Sequence, residues 1–318
     1  MSRYLIRRSL LIIPTLFMIS VIVFMMLRLV PGDIIDTIMQ RVVVVGGSVD
    51  REVLERHLGL DLPAHVQYGR WIRDILLHGN LGISLDSGLP VTPMILSRLA
   101  TTVELGLLAL AMAMLISIPI GIFSAIRQDS VGDYIGRSIA IIFIAVPSFW
   151  IATMIILYPS IWWGWTPPLD LIPFNEDPLG HIKTFIIPSF ILAMAMSGNA
   201  MRMTRTMMLE VLRQDYIRTA YSKGMRERIV VIRHALKNAL IPVVTILGAE
   251  LPILVGGAVI IEEIFALPGI GRLMIEALQV RDYTLAAGIN LVIATGIVGA
   301  NLLVDLSYAF FDPRVRYS

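Results

Sequence analysis

Three observations predict an all-α, polytopic membrane protein with six transmembrane helices. The 318-residue chain is 56% hydrophobic and only 16% charged, where a soluble domain carries about 25% charged residues. Its apolar residues gather into runs near the ~20 residues that a helix needs to cross a bilayer. The segments between those runs differ in Lys and Arg content, and cytoplasmic loops are the ones enriched in both. The absence of cysteine excludes disulfides, Cys-ligated zinc and thiol catalysis. The formal net charge of +2 resides mostly in basic loops, so it does not point to a nucleic-acid partner.

The first span is Ser9–Val30. Arg3, Arg7 and Arg8 precede an apolar run too long for a cleavable signal core, so this span is expected to be retained. Pro14 is tolerable near a helix start, Arg28 can snorkel to the interface, and Pro31-Gly32-Asp33 stops the helix. Residues 31–99 are too charged to span and form a polar insert on the external face. Within it Ser48 or Asp50 can cap a helix ahead of Glu52. Gln67–Leu77 is amphipathic, with Tyr68, Trp71, Ile72 and Ile75 on one side, and either lies on the membrane surface or packs on a neighbouring span. His57, His65 and His78 are read as surface residues, because their spacing does not bring ring nitrogens together on one helix.

The second span, Thr101–Ile126, repeats a small residue every fourth position at Ala109, Ala113, Ser117 and Gly121, a stripe that lets another helix approach closely. Glu104 at its outer end is expected to be solvated. The third span, Ile135–Tyr158, is interrupted at Pro147-Ser148, which marks either a cavity wall or a packing kink. Trp162, Trp163 and Trp165 then read as an interfacial belt. The fourth span is Thr184–Met201, the fifth Leu240–Ile261 and the sixth Thr284–Phe311. The division is therefore 1–30, a cytosolic tail and the first span; 31–99, the external insert; 100–311, a five-helix core holding a cytosolic loop at 202–238; and 312–318, a cytosolic tail. Arg-rich segments at both ends, at 127–137 and at 202–237 put both termini in the cytoplasm.

The loop at 202–238 organises the rest. Arg202, Arg205, Arg213, Arg218, Lys223, Arg226, Arg228, Arg233 and Lys237 oppose only Glu210, Asp215 and Glu227. Each Lys or Arg at a helix centre costs about 2.5–3.5 kcal/mol on insertion, which keeps the segment out of the bilayer. Its apolar residues nevertheless fall at helical spacing, Leu209, Leu212, Tyr216 and Ala220 before Gly224, and Ile229, Ile232 and Leu236 after it. Two short helices hinged at Lys223-Gly224 are predicted, with Gly224 in a left-handed turn.

Inside the spans, Glu250 sits near the middle of the fifth and must face the bundle interior or water; it is structural, conduit-lining or a proton relay. Gly248, Pro252 and Gly256 recur along the same helix and serve packing or a flexible path-lining wall. Asp305 pairs with a cytosolic Arg in the simplest reading. Met194, Met196, Met201, Met203, Met207 and Met208 are apolar filler or an adaptable gate wall. Glu250, Gly248, Pro252 and Met201 are the candidates for a translocation path. No GxxxxGK[ST] occurs, nor a His-Glu metal motif, a nucleophile elbow or a dinucleotide fingerprint, so no enzyme activity or bound cofactor is expected of this chain.

The basic loop resembles the coupling loop of binding-protein-dependent ABC importer permeases, E-A-A-x3-G-x9-I-x-L-P. Aligned on Gly224, Ala220 and Leu236 agree, while Arg218, Thr219, His234 and Lys237 depart from the pattern. Thr219-Ala220, Lys223-Gly224 and Arg233–Ala239 are similar to the variant of the dipeptide/oligopeptide (and nickel) branch. Leu58–Asp61, Gln67-Tyr68, Trp71, Gly79–Gly82 with Ser84, Phe265, Pro268-Gly269, Gly271–Leu273, Arg281–Tyr283 and Asp312–Tyr317 resemble that branch too, Thr284 standing where it usually has Pro.

The resemblance implies a subunit in a bacterial or archaeal inner membrane that forms a path for di- or oligopeptides, oligosaccharides or nickel. It implies a second homologous permease, two ATPase subunits holding ATP and Mg, and an external substrate-binding protein, with lipid around the spans. It also implies that Asp215, Tyr216, Ile217, Arg218, Thr219, Ala220, Tyr221, Lys223, Gly224 and Arg226 couple to the ATPase. Tyr216, Ile217 and Tyr221 would be docking anchors, with Arg218 and Arg226 at the rim. A proton-coupled carrier using Glu250 and Asp305 is the alternative from a different class. The acidic outer loop and Glu250 suit cationic or amine-bearing cargo.

Overall fold

The computed structural model describes residues 2–29, 39, 61–168 and 171–311. Among them regular structure is helical, with one isolated antiparallel bridge, Ile83 to Pro90. The helices are α1 (Ser2–Leu29), α2 (Ala64–His78), α3 (Val91–Ile126), α4 (Val131–Ala145), α5 (Ser148–Trp163), α6 (Pro178–Leu212), α7 (Asp215–Ser222), α8 (Glu227–Ala249), α9 (Leu251–Ile264), α10 (Ile270–Gln279) and α11 (Tyr283–Phe311). Four of them, α3, α6, α8 and α11, are long and apolar enough to cross a membrane, and Leu10–Met25 of α1 is a shorter apolar stretch. The stop at Pro31-Gly32-Asp33, the cap at Ser48 or Asp50 and the tail Asp312–Tyr317 lie outside the described residues, as do the side chains of Pro252 and Asp305.

Two breaks correct the span boundaries. The third span is a pair of helices, α4 and α5, meeting at 93°. Pro147 lacks an N–H and its ring disfavours helical backbone at the preceding residue. Val146 (φ −89, ψ 123) and Pro147 (φ −62, ψ 132) are both extended, so the chain turns instead of bending. The fifth span likewise divides, α8 ending at Ala249 and α9 starting at Leu251 with Pro252 in its first turn. Pro252 cannot donate to the carbonyl of Gly248, which frees that end of α8. Gly248, Pro252 and Gly256 thus do not share one helix. The fourth span also outgrows its expected limits: α6 has 35 residues, and its 1.5 Å rise per residue exceeds the ~30 Å core of a bilayer. The chain from Arg202 to Leu212 is therefore a continuation of α6, and Leu209 and Leu212 belong to it.

The chain divides into two units, residues 1–5, 99–272 and 299–318, and residues 6–98 and 273–298. In the first, the core gathers Leu105, Ala109 and Ala113 of α3, Phe185, Ile191 and Met196 of α6, Val243 and Leu247 of α8, and Ile261 of α9. The small-residue stripe of α3 is buried along its whole length. A Cβ on Gly121 would stand 2.5 Å from Thr204 Cβ, and one on Gly198 would stand 2.7 Å from the carbonyl oxygen of Ala140, so α3 and α4 both approach α6 at backbone distance. Met196, Met201 and Met208 are buried in the same unit and act as filler.

In the second unit α2 packs on α1, one of the two arrangements expected of the amphipathic segment. Tyr68 meets Phe17 and Phe24 edge-on with ring centres at 6.2 and 5.4 Å, Trp71 meets Phe24 at 5.9 Å, and Tyr68 hydroxyl shares a 2.8 Å hydrogen bond with Ser20. Asp282, fully buried, caps α11 by accepting from the Leu285 amide at 3.0 Å, and it accepts from the Ser84 hydroxyl at 2.5 Å.

Candidate functional site

The basic segment forms an elbow. After α6 ends, Arg213-Gln214 turns the chain and Asp215 opens the eight-residue α7. Ile217 and Ala220 face inward, packed with Ala125 of α3, Met208 of α6 and Val230, Val231, Ala235 and Ala239 of α8. Burying an isoleucine side chain contributes about 1.5–3 kcal/mol, so this apolar contact holds the short helix, which could not persist alone. The other face carries Tyr216 and Tyr221, each 44% exposed. Asp215, Arg218, Thr219, Lys223, Gly224 and Arg226 are exposed as well. Ile217, expected as a docking anchor, is corrected: with no exposure at all it sets the helix down and offers nothing to a partner. Ala220 belongs with it.

The turn at Gly224 forms as expected, but the second short helix does not: Glu227–Leu236 is the start of the 23-residue α8. Gly224 has φ +74, its amide donates to the Tyr221 carbonyl at 2.9 Å, and the Met225 amide donates to Ala220 at 3.4 Å. A side chain at that φ would be strained. Asn238 Nδ2 donates to Tyr216 hydroxyl at 2.8 Å, linking α7 to α8. Behind the elbow, Arg205 of α6 grips the buried Asp133 of α4 with two hydrogen bonds, Nε at 2.8 Å and Nη2 at 2.7 Å. The Ser124 hydroxyl and the Asp129 amide also donate to that carboxylate, so it is fully satisfied.

The path candidates separate. Met201 is 2% exposed and closed within the helix contacts. Gly248 is a packing position, because a Cβ there would stand 2.7 Å from Val304 of α11. The side chain of Pro252 lies outside the described residues. Glu250 remains, and it occupies the break between α8 and α9 instead of a helix interior. It is half-buried and accepts from Asn199 Nδ2 at 2.8 Å, while Arg202 Nη2 donates to Asn199 Oδ1 at 3.0 Å.

Sequence reading missed two other polar sites. Glu262, fully buried, accepts from the Thr102 hydroxyl at 2.6 Å and from the amides of Gly271 at 2.8 Å and Arg272 at 3.2 Å, which fixes the first turn of α10. Glu104 is not simply solvated: it pairs with His181 Nε2 at 2.7 Å, and the other ring nitrogen of His181 meets the Ile172 carbonyl at 2.8 Å. The only signal for either was a charged residue at the end of an apolar run, whose partner is distant in sequence. Among the described residues, no three His, Asp or Glu side chains gather as a metal site.

Long apolar helices, a broken span holding a carboxylate and a short amphipathic helix on a basic elbow define a polytopic membrane permease. Residues 117–317 match the model of the binding-protein-dependent transport system inner membrane component, and residues 1–106 match the N-terminal membrane component of the same systems. The chain belongs to this family. It is 38% identical over 320 residues to the oligopeptide transport system permease protein AppB of Bacillus subtilis, all of both chains being covered. It is 40% identical over 337 residues to the dipeptide transport system permease protein DppB of Alkalihalophilus pseudofirmus, again over the whole of both. For DppB of Escherichia coli K12 the figures are 37% over 341 residues, with 100% and 99% covered. The fold is similar to a crystal structure of an amino acid ABC transporter with histidines, with TM-score 0.51 and 17% identity over 69% of this chain and 94% of that one.

Proposed function

We propose that this chain is one half of the translocation path of an ATP-driven importer of di- or oligopeptides. Relatives named for dipeptide and oligopeptide transport, matched end to end, support that cargo. An external binding protein delivers the peptide, a second homologous permease completes the path, and two cytosolic ATPase subunits bind ATP and Mg. Six spans cross the inner membrane, with both termini in the cytoplasm, residues 31–99 outside and the elbow inside. The chain itself hydrolyses nothing; it receives movement.

One observation carries the coupling role: α7 shows two half-exposed tyrosines and a rim of charge, over an apolar face sealed against α3, α6 and α8. Aromatic anchors within a charged rim are the usual composition of a protein-docking patch. Because α7 is locked to the cores of three long helices, force applied to its exposed face moves the spans. Tyr216 and Tyr221 are the anchors, Arg218, Lys223 and Arg226 the rim. Purification of the tagged chain from its native membrane tests this reading. A second permease and two ATPases should co-purify, and proteoliposomes of that complex should take up peptide with ATP and binding protein while a proton ionophore has no effect. Uptake that follows the proton gradient and ignores ATP would instead establish the carrier reading.

A further inference from the structure

We propose that Glu250, covered by Asn199, forms a polar station on the path that receives a cationic amine of the cargo. This rests on the peptide-importer reading and names the chemistry that its path recognises. The Glu250 carboxylate stands half-exposed in the break between α8 and α9. A carboxylate beside the end of a membrane-length helix faces water or a polar partner, since lipid would make it costly. Among the described residues its hydrogen-bond partner is the neutral amide of Asn199, at 2.8 Å. Arg202 makes no direct ion pair with it among the described residues; its guanidinium Nη2 donates to the Asn199 oxygen at 3.0 Å. A carboxylate can accept about four hydrogen bonds, so most of its capacity is open.

The surface around it differs from a lipid-facing one. Ala195, Asn199, Arg202 and Thr206 share one face of α6 by their spacing, and Ala195, Arg202 and Thr206 are exposed. That face is small and polar. The other open face of the same helix shows Ile182, Ile186 and Phe190, at 48%, 46% and 39% exposure, which suits lipid or an apolar partner. The exposed residues of α6 thus include large apolar ones in its first half and are small or polar from Ala195 to Thr206, the stretch that holds Asn199, the partner of Glu250.

An ammonium group brings three donors and a full charge, and charge-assisted hydrogen bonds are about twice as strong as neutral ones. Such a group displaces the Asn199 amide from Glu250. When the cargo moves on, Asn199 closes over the carboxylate again, so binding stays shallow enough for release. The amine has two sources in a peptide, its amino terminus and a lysine side chain.

The test uses the complete complex in proteoliposomes, with the binding protein saturated by each peptide. Three peptides of equal length are compared: free amino terminus without lysine, N-acetylated without lysine, and N-acetylated with one lysine. Relative to wild type, Glu250→Gln should lower uptake of an amine-bearing peptide by roughly tenfold or more against the N-acetylated, lysine-free one. Loss confined to the first peptide assigns the amino terminus, and loss for the first and third assigns any ammonium. Glu250→Asp should restore the discrimination in part, which separates charge from folding. Equal loss for all three peptides in Glu250→Gln, with no recovery in Glu250→Asp, overturns the station while leaving the importer intact. Absence of ATP-driven uptake in the wild type would instead remove the importer reading on which it stands.

Discussion

The basic elbow and the Glu262 corner are built in opposite senses. At the elbow, apolar side chains face inward and polar ones outward: Ile217 is sealed, while Tyr216, Arg218 and Tyr221 stand in the open. At the corner, the polar groups are turned inward, a buried carboxylate holding the Thr102 hydroxyl and the first amides of α10. The corner spends its polar chemistry within the chain and the elbow leaves its own available. Damage at the corner should therefore unfold, and damage at the elbow should uncouple.

The largest effect is expected at the corner. Glu262→Ala leaves the Thr102 hydroxyl and the Gly271 and Arg272 amides without their carboxylate, at about 1–3 kcal/mol for each buried group left unsatisfied. That is a large share of the ~5–15 kcal/mol of a typical fold, so the yield of detergent-stable protein and its melting temperature should both fall sharply. A variant as stable as wild type would show that the corner does not hold α10.

Gly224→Pro comes next. It removes the amide that donates to Tyr221 and imposes a negative φ where the chain has φ +74. The protein should insert and assemble, yet binding-protein-stimulated ATP hydrolysis and peptide uptake should both be lost. Retained stimulation would mean that the elbow carries no signal. The smallest effect belongs to Arg218→Ala. Its partner Asp215 lies 3.5 Å away with both side chains largely exposed, and such pairs add little to stability. The melting temperature should stay unchanged, and only the salt dependence of ATPase association should shift.

Much of this arrangement was legible before the fold was known. Apolar runs located α3, α6 and α11, although α3 and α6 run longer than a bilayer is thick, and the Ala109–Gly121 stripe announced a close crossing. Gly224 was readable because few residues tolerate its backbone. The breaks were less so. Pro147 showed that a helix is disturbed, but whether it kinks or turns by 93° depends on what the next helix finds to pack against. Gly248 and Pro252 flanked the break at Glu250, yet their regular spacing read as one continuous face. Ile217 was misassigned because eight residues contain barely two turns, too few for periodicity to say which side is covered. Glu262, Asp133 and His181 were missed for a common reason: each has a side-chain partner far away in sequence, and an isolated charge near the end of an apolar run resembles any interfacial one.

The chain contains no cysteine, which permits a direct test of the central claim that α7 is the face gripped by the ATPases. Tyr221→Cys and Ile217→Cys would each supply a single thiol on this chain, to be labelled with a membrane-impermeant maleimide in inside-out vesicles and in intact cells. The account predicts that Tyr221→Cys reacts in vesicles stripped of ATPase, is protected when the ATPases are restored and stays unlabelled in intact cells, while Ile217→Cys reacts in none of these. Labelling of Tyr221→Cys from outside the cell, or at the same rate with and without ATPase, would contradict it.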